Sequence, residues 1–390
     1  MRNVDKYLAA LVRASLKGEK APNLPEGVSV DEIVSIAAKS HMNCILLSAL
    51  VNVDNISDSE RDKLRGIVLR SMLKASMQLQ EVKVLDAKFE EEQIVNQPMK
   101  GAILRLIYPS PEMREMSDLD ILIAENDMDR AVTVLLDCGY VLKESIKHHD
   151  IYVKKPFMVV EAHRAMYDKT VDKNQNRYFD NFSKTHVAKG HKVTHEFGIE
   201  DFYVYMMAHM AKHFYQTGCG IRHLVDIYVY LGHYGSSIDR EYVDRELEEC
   251  GILTFTRHME KLAFDWIDGK DTESLYSEIF LYMIDAGIYG KDENGIWNKF
   301  ADEEKNGKTL SRGRLKRWYF FPPLYYMSEY YPYLAEKPWL LPWAWFVRGV
   351  EGILRKKGSM KRKMIDEIGM DDVKKRQHIY KEMGLKFSSK

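Results

Sequence analysis

Asp118-Leu119-Asp120 runs straight into Ile121-Leu122-Ile123. A short run rich in Ile and Leu reads as a buried strand. Side chains alternate faces along a strand, so Asp118 and Asp120 point one way while Leu119 and Ile121 point the other. The fold around them must supply an apolar layer on one side of a sheet and positive charge on the other. Two carboxylates on one face repel each other unless a cation lies between them. Hard oxygen donors suit Mg²⁺ or Mn²⁺, and Mg²⁺ keeps waters and substrate phosphates in its remaining positions. An Asp-x-Asp pair by itself more often marks a solvated strand end, so its weight comes from its surroundings.

Those surroundings change pattern along the chain. Residues 1–93 have helical spacing: Leu8, Leu11, Val12 and Leu16 recur at helix period, Ala21 to Val28 is a Pro/Gly loop, and Asp31 can cap the next helix. Leu64, Ile67, Val68, Leu73 and Leu85 form a stripe on one or two long helices between Ser57 and Gln93. Residues 94–198 carry short apolar runs. After the Asp-x-Asp strand a helix is expected from Asp127 to Cys138, stopped by Gly139. Strands are expected at Ile151 to Val153 and Met158 to Glu161. Residues 199–308 return to helical spacing, clearest over Phe202 to Tyr215 and Ile221 to Leu231. Residues 309–390 join an aromatic and proline-rich stretch, Trp318 to Trp345, to a basic tail. The expected fold class is α+β, a small mixed sheet flanked by mainly helical N- and C-terminal regions.

A third carboxylate at the end of a second strand, Val159-Val160-Glu161, completes a set of three. Such a set can hold two ions about 3.5–4 Å apart that clamp both oxygens of an in-line phosphoryl displacement. Around it lie Lys100-Gly101, Tyr108-Pro109 with Arg114, Gly139-Tyr140, and His163 after Glu161-Ala162. This order of parts, over about Lys100 to Tyr167, resembles the uncharacterised nucleotidyltransferase family of the polymerase-β-like superfold. Weaker likeness continues through His209 to Asp226, Gly287-Ile288-Tyr289-Gly290, and Tyr331-Pro332-Tyr333-Leu334 with Pro342. The resemblance implies a nucleotidyltransferase-like sheet, with Asp118 and Asp120 as metal ligands and Glu161 as the third carboxylate. It implies Mg²⁺ (or Mn²⁺) as cofactor and an NTP as substrate. Lys100, Gly101, Arg114 and Ser117 are then expected on the nucleotide side. Gly101-Ala102 departs from the Gly-Gly or Gly-Ser of the wider superfamily and offers no hydroxyl to the phosphates.

Other residues invite a role. His209 and His213 share a helix face, and Arg222 and Asp226 are also four apart. The plain reading is helix packing and an Arg–Asp pair; the functional reading places His163, His209, His213, Arg222 and Asp226 on the acceptor side of the cleft. His148-His149-Asp150 reads as a surface turn before a strand; the alternative is that one histidine faces the site. The aromatic stretch reads as core packing of a C-terminal lobe. Its alternative is a membrane-interface surface backed by Lys356, Lys357, Lys361, Arg362 and Lys363.

Composition limits the function classes. Of 390 residues, 45% are hydrophobic and 29% charged, as in ordinary globular domains rather than disordered chains. A net charge of −1 gives no general reason to expect a long nucleic acid partner. The four cysteines form no CxxC pair, which argues against a disulfide framework and fits a reducing cytoplasm. No signal-peptide core and no run of about 20 apolar residues is present. The expected function is transfer of an NMP group from an NTP to a hydroxyl acceptor: a small molecule, a sugar or a protein. The alternative, favoured by Gly101-Ala102, is a catalytically inactive nucleotide- or metal-binding regulatory module of the same fold.

Overall fold

In the computed structural model, described over residues 1–146, 149–167, 175, 178, 179, 182–288, 290, 312–354 and 370–385, the N-terminal region is helical. Helix α1 (Asn3–Lys17) buries Leu8, Leu11 and Val12, and Gly18 ends it with a φ of +66°. Helix α2 (Val30–Ser40) starts earlier than Asp31 suggests. Ser29 is the cap: its backbone is extended and its hydroxyl accepts the Glu32 N–H at 3.1 Å. Asp31 instead sits in the first turn and pairs with Lys63 at 2.6 Å. Helix α3 (Asn43–Leu50) follows.

Helix α4 (Asp58–Glu91) is a single 34-residue rod opened by a Ser57–Glu60 capping box. Leu64, Ala75, Gln78, Leu85 and Phe89 make its buried face. Leu73 does not join that face. It lies two residues from Ala75, hence nearly opposite it, and is 56% exposed.

The sheet has the strand order β1-β2-β5-β4-β3. Its strands are β1 (Asn96–Pro98), β2 (Leu119–Ile123), β3 (Val141–Ile146), β4 (His149–Lys154) and β5 (Met158–His163). β2 and β5 are parallel; the other three pairings are antiparallel, so the sheet is mixed. One face buries Leu119, Ile121, Ile123, Val160, Ala162 and Tyr152 against Leu85 and Phe89 of α4 and against Ala131, Val134 and Leu135. The last three belong to helix α6 (Met128–Asp137), which ends before Gly139 as expected. A short helix, α5 (Gly101–Leu104), links β1 towards β2.

Strands β6 (Thr185–Val187) and β7 (His195–Phe197) form a separate ribbon. Helices α7 (Ile199–Gln216) and α8 (Arg222–Tyr234) then match the expected helical segments. The α+β class, with a mixed sheet between helical regions, is therefore as the sequence implied.

By contacts the chain forms two units: residues 1–214, 218–290 and 383–390, and residues 215–217 with 291–382. The second unit has a small core of Met327, Leu334 and Ala344. Trp318 is buried there, as a packing role requires, but Trp339, Trp343 and Phe346 are 70%, 59% and 62% exposed. The aromatic stretch is thus only partly core. The basic residues Lys356, Lys357, Lys361, Arg362 and Lys363 lie outside the described residues, as do His148 and Tyr289. Among the described residues no helix is long and apolar enough to cross a membrane.

Candidate functional site

The register of β2 and β5 places Asp120 beside Glu161 and Leu122 beside His163. β4 in turn sets His149 beside His163. Paired residues share a sheet face. Asp118, one step before β2, with Asp120, Glu161, His163 and His149, therefore lies on the face away from the apolar cluster.

Asp120 is 3% exposed. Its Oδ1 accepts a hydrogen bond from Lys100 Nζ at 2.9 Å and lies 2.9 Å from His163 Nε2. An ionised carboxylate only accepts, so His163 donates here. Burial opposes ionisation of Asp120, but Lys100 and His163 outweigh it and hold its carboxyl well below the usual range. Asp118 goes the other way: burial, then the Asp120 and Glu161 carboxylates, push its pKa up. Glu161 is held low by its interaction with His163. Burial opposes the charge on His163, yet Asp120 and Glu161 together raise its pKa.

Lys100 reaches Asp120 from a turn with φ +47° and ψ −113°. That backbone region favours glycine and costs a lysine about 1–3 kcal/mol. Gly101 follows because a Cβ there would stand 3.3 Å from both Arg114 Nη1 and Met116 Cγ. Ala102 belongs to the apolar cluster. A hydroxyl at 102 would face the core, so its absence removes nothing from this face.

Arg114 is placed differently from expectation. Its Nε and Nη2 donate to Asp226 Oδ1 and Oδ2 at 2.8 and 3.0 Å, and Nη1 donates to the Glu115 carbonyl at 2.9 Å. Both partners are buried, so Arg114 braces the segment leading into β2 rather than reaching a phosphate. Asp226 also accepts the Tyr108 hydroxyl at 2.7 Å. The Arg222–Asp226 helix pair gives way to this arrangement: Arg222 Nη1 donates to the Glu115 carbonyl at 2.9 Å. Among the described residues Arg222 Nε is buried without a hydrogen-bond partner. Arg222 is also close enough to oppose the upward shift of Asp118. Burial and Arg114 push its own pKa down to about 10.

Ser117 Oγ lies 2.9 Å from His41 Nδ1, so it faces α2. His209 and His213 stack edge-on, with ring centroids 4.3 Å apart. Burial, then the Lys100 ammonium, lowers both; His213 falls to about 3. They are neutral neighbours of Lys100. Among the described residues, the side chains that come together with the spacing of metal ligands are His149, Glu161 and His163, whose donor atoms all lie within 4.8 Å of one another.

His41 and the structural role of Glu115 carry no signal in the sequence. His149 is not in a surface turn; it occupies β4 beside His163, the alternative in which one histidine faces the site. The alternation from His149 through Ile151 was the available signal. A cavity of about 250 Å³ lined by Gln97, Phe197, Phe202, Tyr230 and Tyr234 among others opens beside β1, apart from the carboxylates.

The mixed sheet, with Asp118-Leu119-Asp120 beside the Lys100-Gly101 turn, agrees with a nucleotidyltransferase-like fold. The pattern of an uncharacterised nucleotidyltransferase family matches residues 26–268, and the chain belongs to that family. The match takes in α2 to α4 as well as the sheet; Gly287-Ile288-Tyr289-Gly290 and Tyr331-Pro332 lie outside it. No curated protein matches the chain. Among solved structures, an antigenic nucleotidyltransferase-like protein from Paracoccidioides brasiliensis is similar at 19% identity and a TM-score of 0.33, covering 51% of this chain and 96% of that one. A likeness that low decides nothing about the site.

Proposed function

We propose that the protein transfers an NMP group from an NTP to a hydroxyl acceptor, using Asp118, Asp120 and Glu161. The observation that carries this reading is the parallel β2–β5 pairing, which sets Glu161 beside Asp120 on the charged face. The residues suit a divalent cation: three carboxylates share a face, and burial, then the neighbouring Asp120 and Glu161 carboxylates, push Asp118 up, a cost that a cation would relieve. Mg²⁺ or Mn²⁺ held by these carboxylates would neutralise charge on the phosphates and on the departing pyrophosphate.

The chain's own groups do the rest. Lys100, with Arg222 Nε, which has no hydrogen-bond partner among the described residues, supplies positive charge for the triphosphate in place of Arg114, which is bonded to Asp226. Gly101 makes room for Arg114 and Met116 beside the Lys100 turn and so holds that turn in place. The acceptor oxygen attacks the α-phosphorus, the bond to the β-phosphate oxygen breaks, and the hydroxyl proton passes to a base. Glu161 is a weak base for that step because His163 holds its pKa low. His163, His209 and His213 line the acceptor side as neutral or hydrogen-bonded groups, and Asp226 contributes by fixing Arg114.

One observation favours the alternative of an inactive binding module: Asp120 Oδ1 is already satisfied by Lys100 and His163. Incubation with Mg²⁺ and each labelled NTP, with small-molecule, sugar and protein acceptors, separates the two. Pyrophosphate release should fall about a hundredfold or more in Asp118→Asn and Asp120→Asn, as loss of several kcal/mol of charge stabilisation requires. Absence of Mg²⁺-dependent NTP turnover across the panel would leave the binding module.

A further inference from the structure

We propose that His149, Glu161 and His163 form a binding position for a first-row transition-metal dication of the Zn²⁺ class, next to the carboxylate position at Asp118 and Asp120. The inference does not depend on nucleotidyl transfer; it rests on donor chemistry and spacing.

The donor set is two imidazoles and one carboxylate. Imidazole suits zinc, cobalt, nickel and iron, whereas Mg²⁺ prefers oxygen alone. Two histidines with a glutamate also make up a known three-ligand set for zinc that keeps a position open.

Spacing separates a metal site from an ordinary hydrogen-bond cluster. Both Nε2 atoms approach the same oxygen, Glu161 Oε2, at 3.4 Å from His163 and 3.7 Å from His149. Those distances are long for N–H···O bonds, which cluster at about 2.7–3.2 Å. They are close to the ~3.4 Å that separates two donors each about 2.1 Å from one tetrahedral ion.

The backbone fixes this spacing. His149 and His163 are register partners across β4 and β5, and Glu161 is two residues from His163 on the same face. The two rings stack with centroids 4.8 Å apart. Asp120 Oδ1 lies 2.9 Å from the same His163 Nε2 that an ion would take, so the ion replaces that hydrogen bond, and Lys100 remains to hold the Asp120 carboxylate. The His163 side chain is 8% exposed, but that of Glu161 is 22% exposed, leaving one side of the position open.

Binding is a ligand exchange. The ion takes the lone pair freed on Nε2 of His163 when the proton that this nitrogen donates to Asp120 goes to solvent, and no electron is transferred. Glu161 belongs to both donor sets, so the two positions are neighbours of unlike chemistry.

The test is titration of the full-length, tag-free protein with Co²⁺, read by its visible d–d absorption. We expect saturation near one equivalent, displacement by Zn²⁺, and no displacement by Mg²⁺ in large excess. His149→Ala should weaken Co²⁺ binding at least about tenfold, while Asp118→Asn keeps the band. His149→Cys should place a thiolate in the ligand set and add a sulfur-to-cobalt charge-transfer band in the near ultraviolet. That gain requires a folded site, so it answers the objection that His149→Ala is merely misfolded. Three results overturn the proposal: no saturating band, wild-type affinity in His149→Ala, or ready displacement by Mg²⁺. Loss of NTP turnover in every assay with the Co²⁺ band intact would count against nucleotidyl transfer alone.

Discussion

Asp226 receives both arms of the Arg114 guanidinium and the Tyr108 hydroxyl from one stretch of chain. Burial opposes its charge, but Arg114 outweighs it and keeps Asp226 ionised. Asp226→Ala should leave a buried guanidinium without its partner, a change that costs about 3–5 kcal/mol. Urea denaturation would show this as a lower midpoint; an unchanged midpoint would mean Arg114 finds water instead. This pair also shows where reading residues from sequence stops. Tyr108-Pro109, Arg114 and Asp226 were all legible as special, yet their partners were not, because pairing across more than a hundred positions is set by tertiary packing. The same holds for Ala102. Its missing hydroxyl looked like a functional loss until the position proved to face the core. Asp118, Asp120, Glu161 and His163 were legible because two-residue alternation fixes a face without further information.

At the scale of elements, the end of α4 is clamped by a single carboxylate. Glu90 accepts the backbone N–H groups of Lys192, Val193 and Thr194 at 2.9, 3.1 and 2.9 Å. Burial opposes its ionisation, but these three donors bring its pKa from an ordinary 4.5 down to about 2. A depressed carboxylate contributes its full stability above its unfolded pKa, and the contribution disappears as pH falls through the folded value. The difference in unfolding free energy between wild type and Glu90→Gln should therefore be constant from neutral pH to about 5 and shrink toward pH 2. Denaturation at a series of pH values tests this; a pH-independent difference would show that Glu90 acts by shape alone. Long helices and the β2 run were readable from spacing. β1 was not: its Asn96 and Gln97 are polar but 1% exposed each, so it carries no hydrophobic signal. Nor was β3, where a shift of register between Leu142 and Glu144 breaks the alternation.

Over the molecule, the N-terminal helices and the sheet are parts of one construction. Glu115, just before β2, accepts the Cys44 backbone N–H at 2.8 Å and the Asn43 side-chain amide at 3.2 Å, both on α3. Ser117 meets His41 at the end of α2. The family match from residue 26 onward spans these contacts. Glu115→Ala should cost about 1–3 kcal/mol by leaving buried donors unmet. It should also speed amide exchange in residues 105–118, measured by hydrogen–deuterium exchange; unchanged exchange there would show that α3 does not brace the β2 entry. The parallel pairing of β2 with β5 has a consequence for folding order. Glu161 reaches Asp120 only after α6 and the β3–β4 hairpin have closed the connection between the two strands, and that closure carries an entropic cost with no local reward. The helices can form without it; the carboxylate face cannot. Any cation that binds this face recognises only the closed chain, so it should raise the melting temperature in step with the logarithm of its concentration. Ion affinity would then report whether the sheet is complete, and a chain cut between β2 and β5 would lose it before losing its helical content.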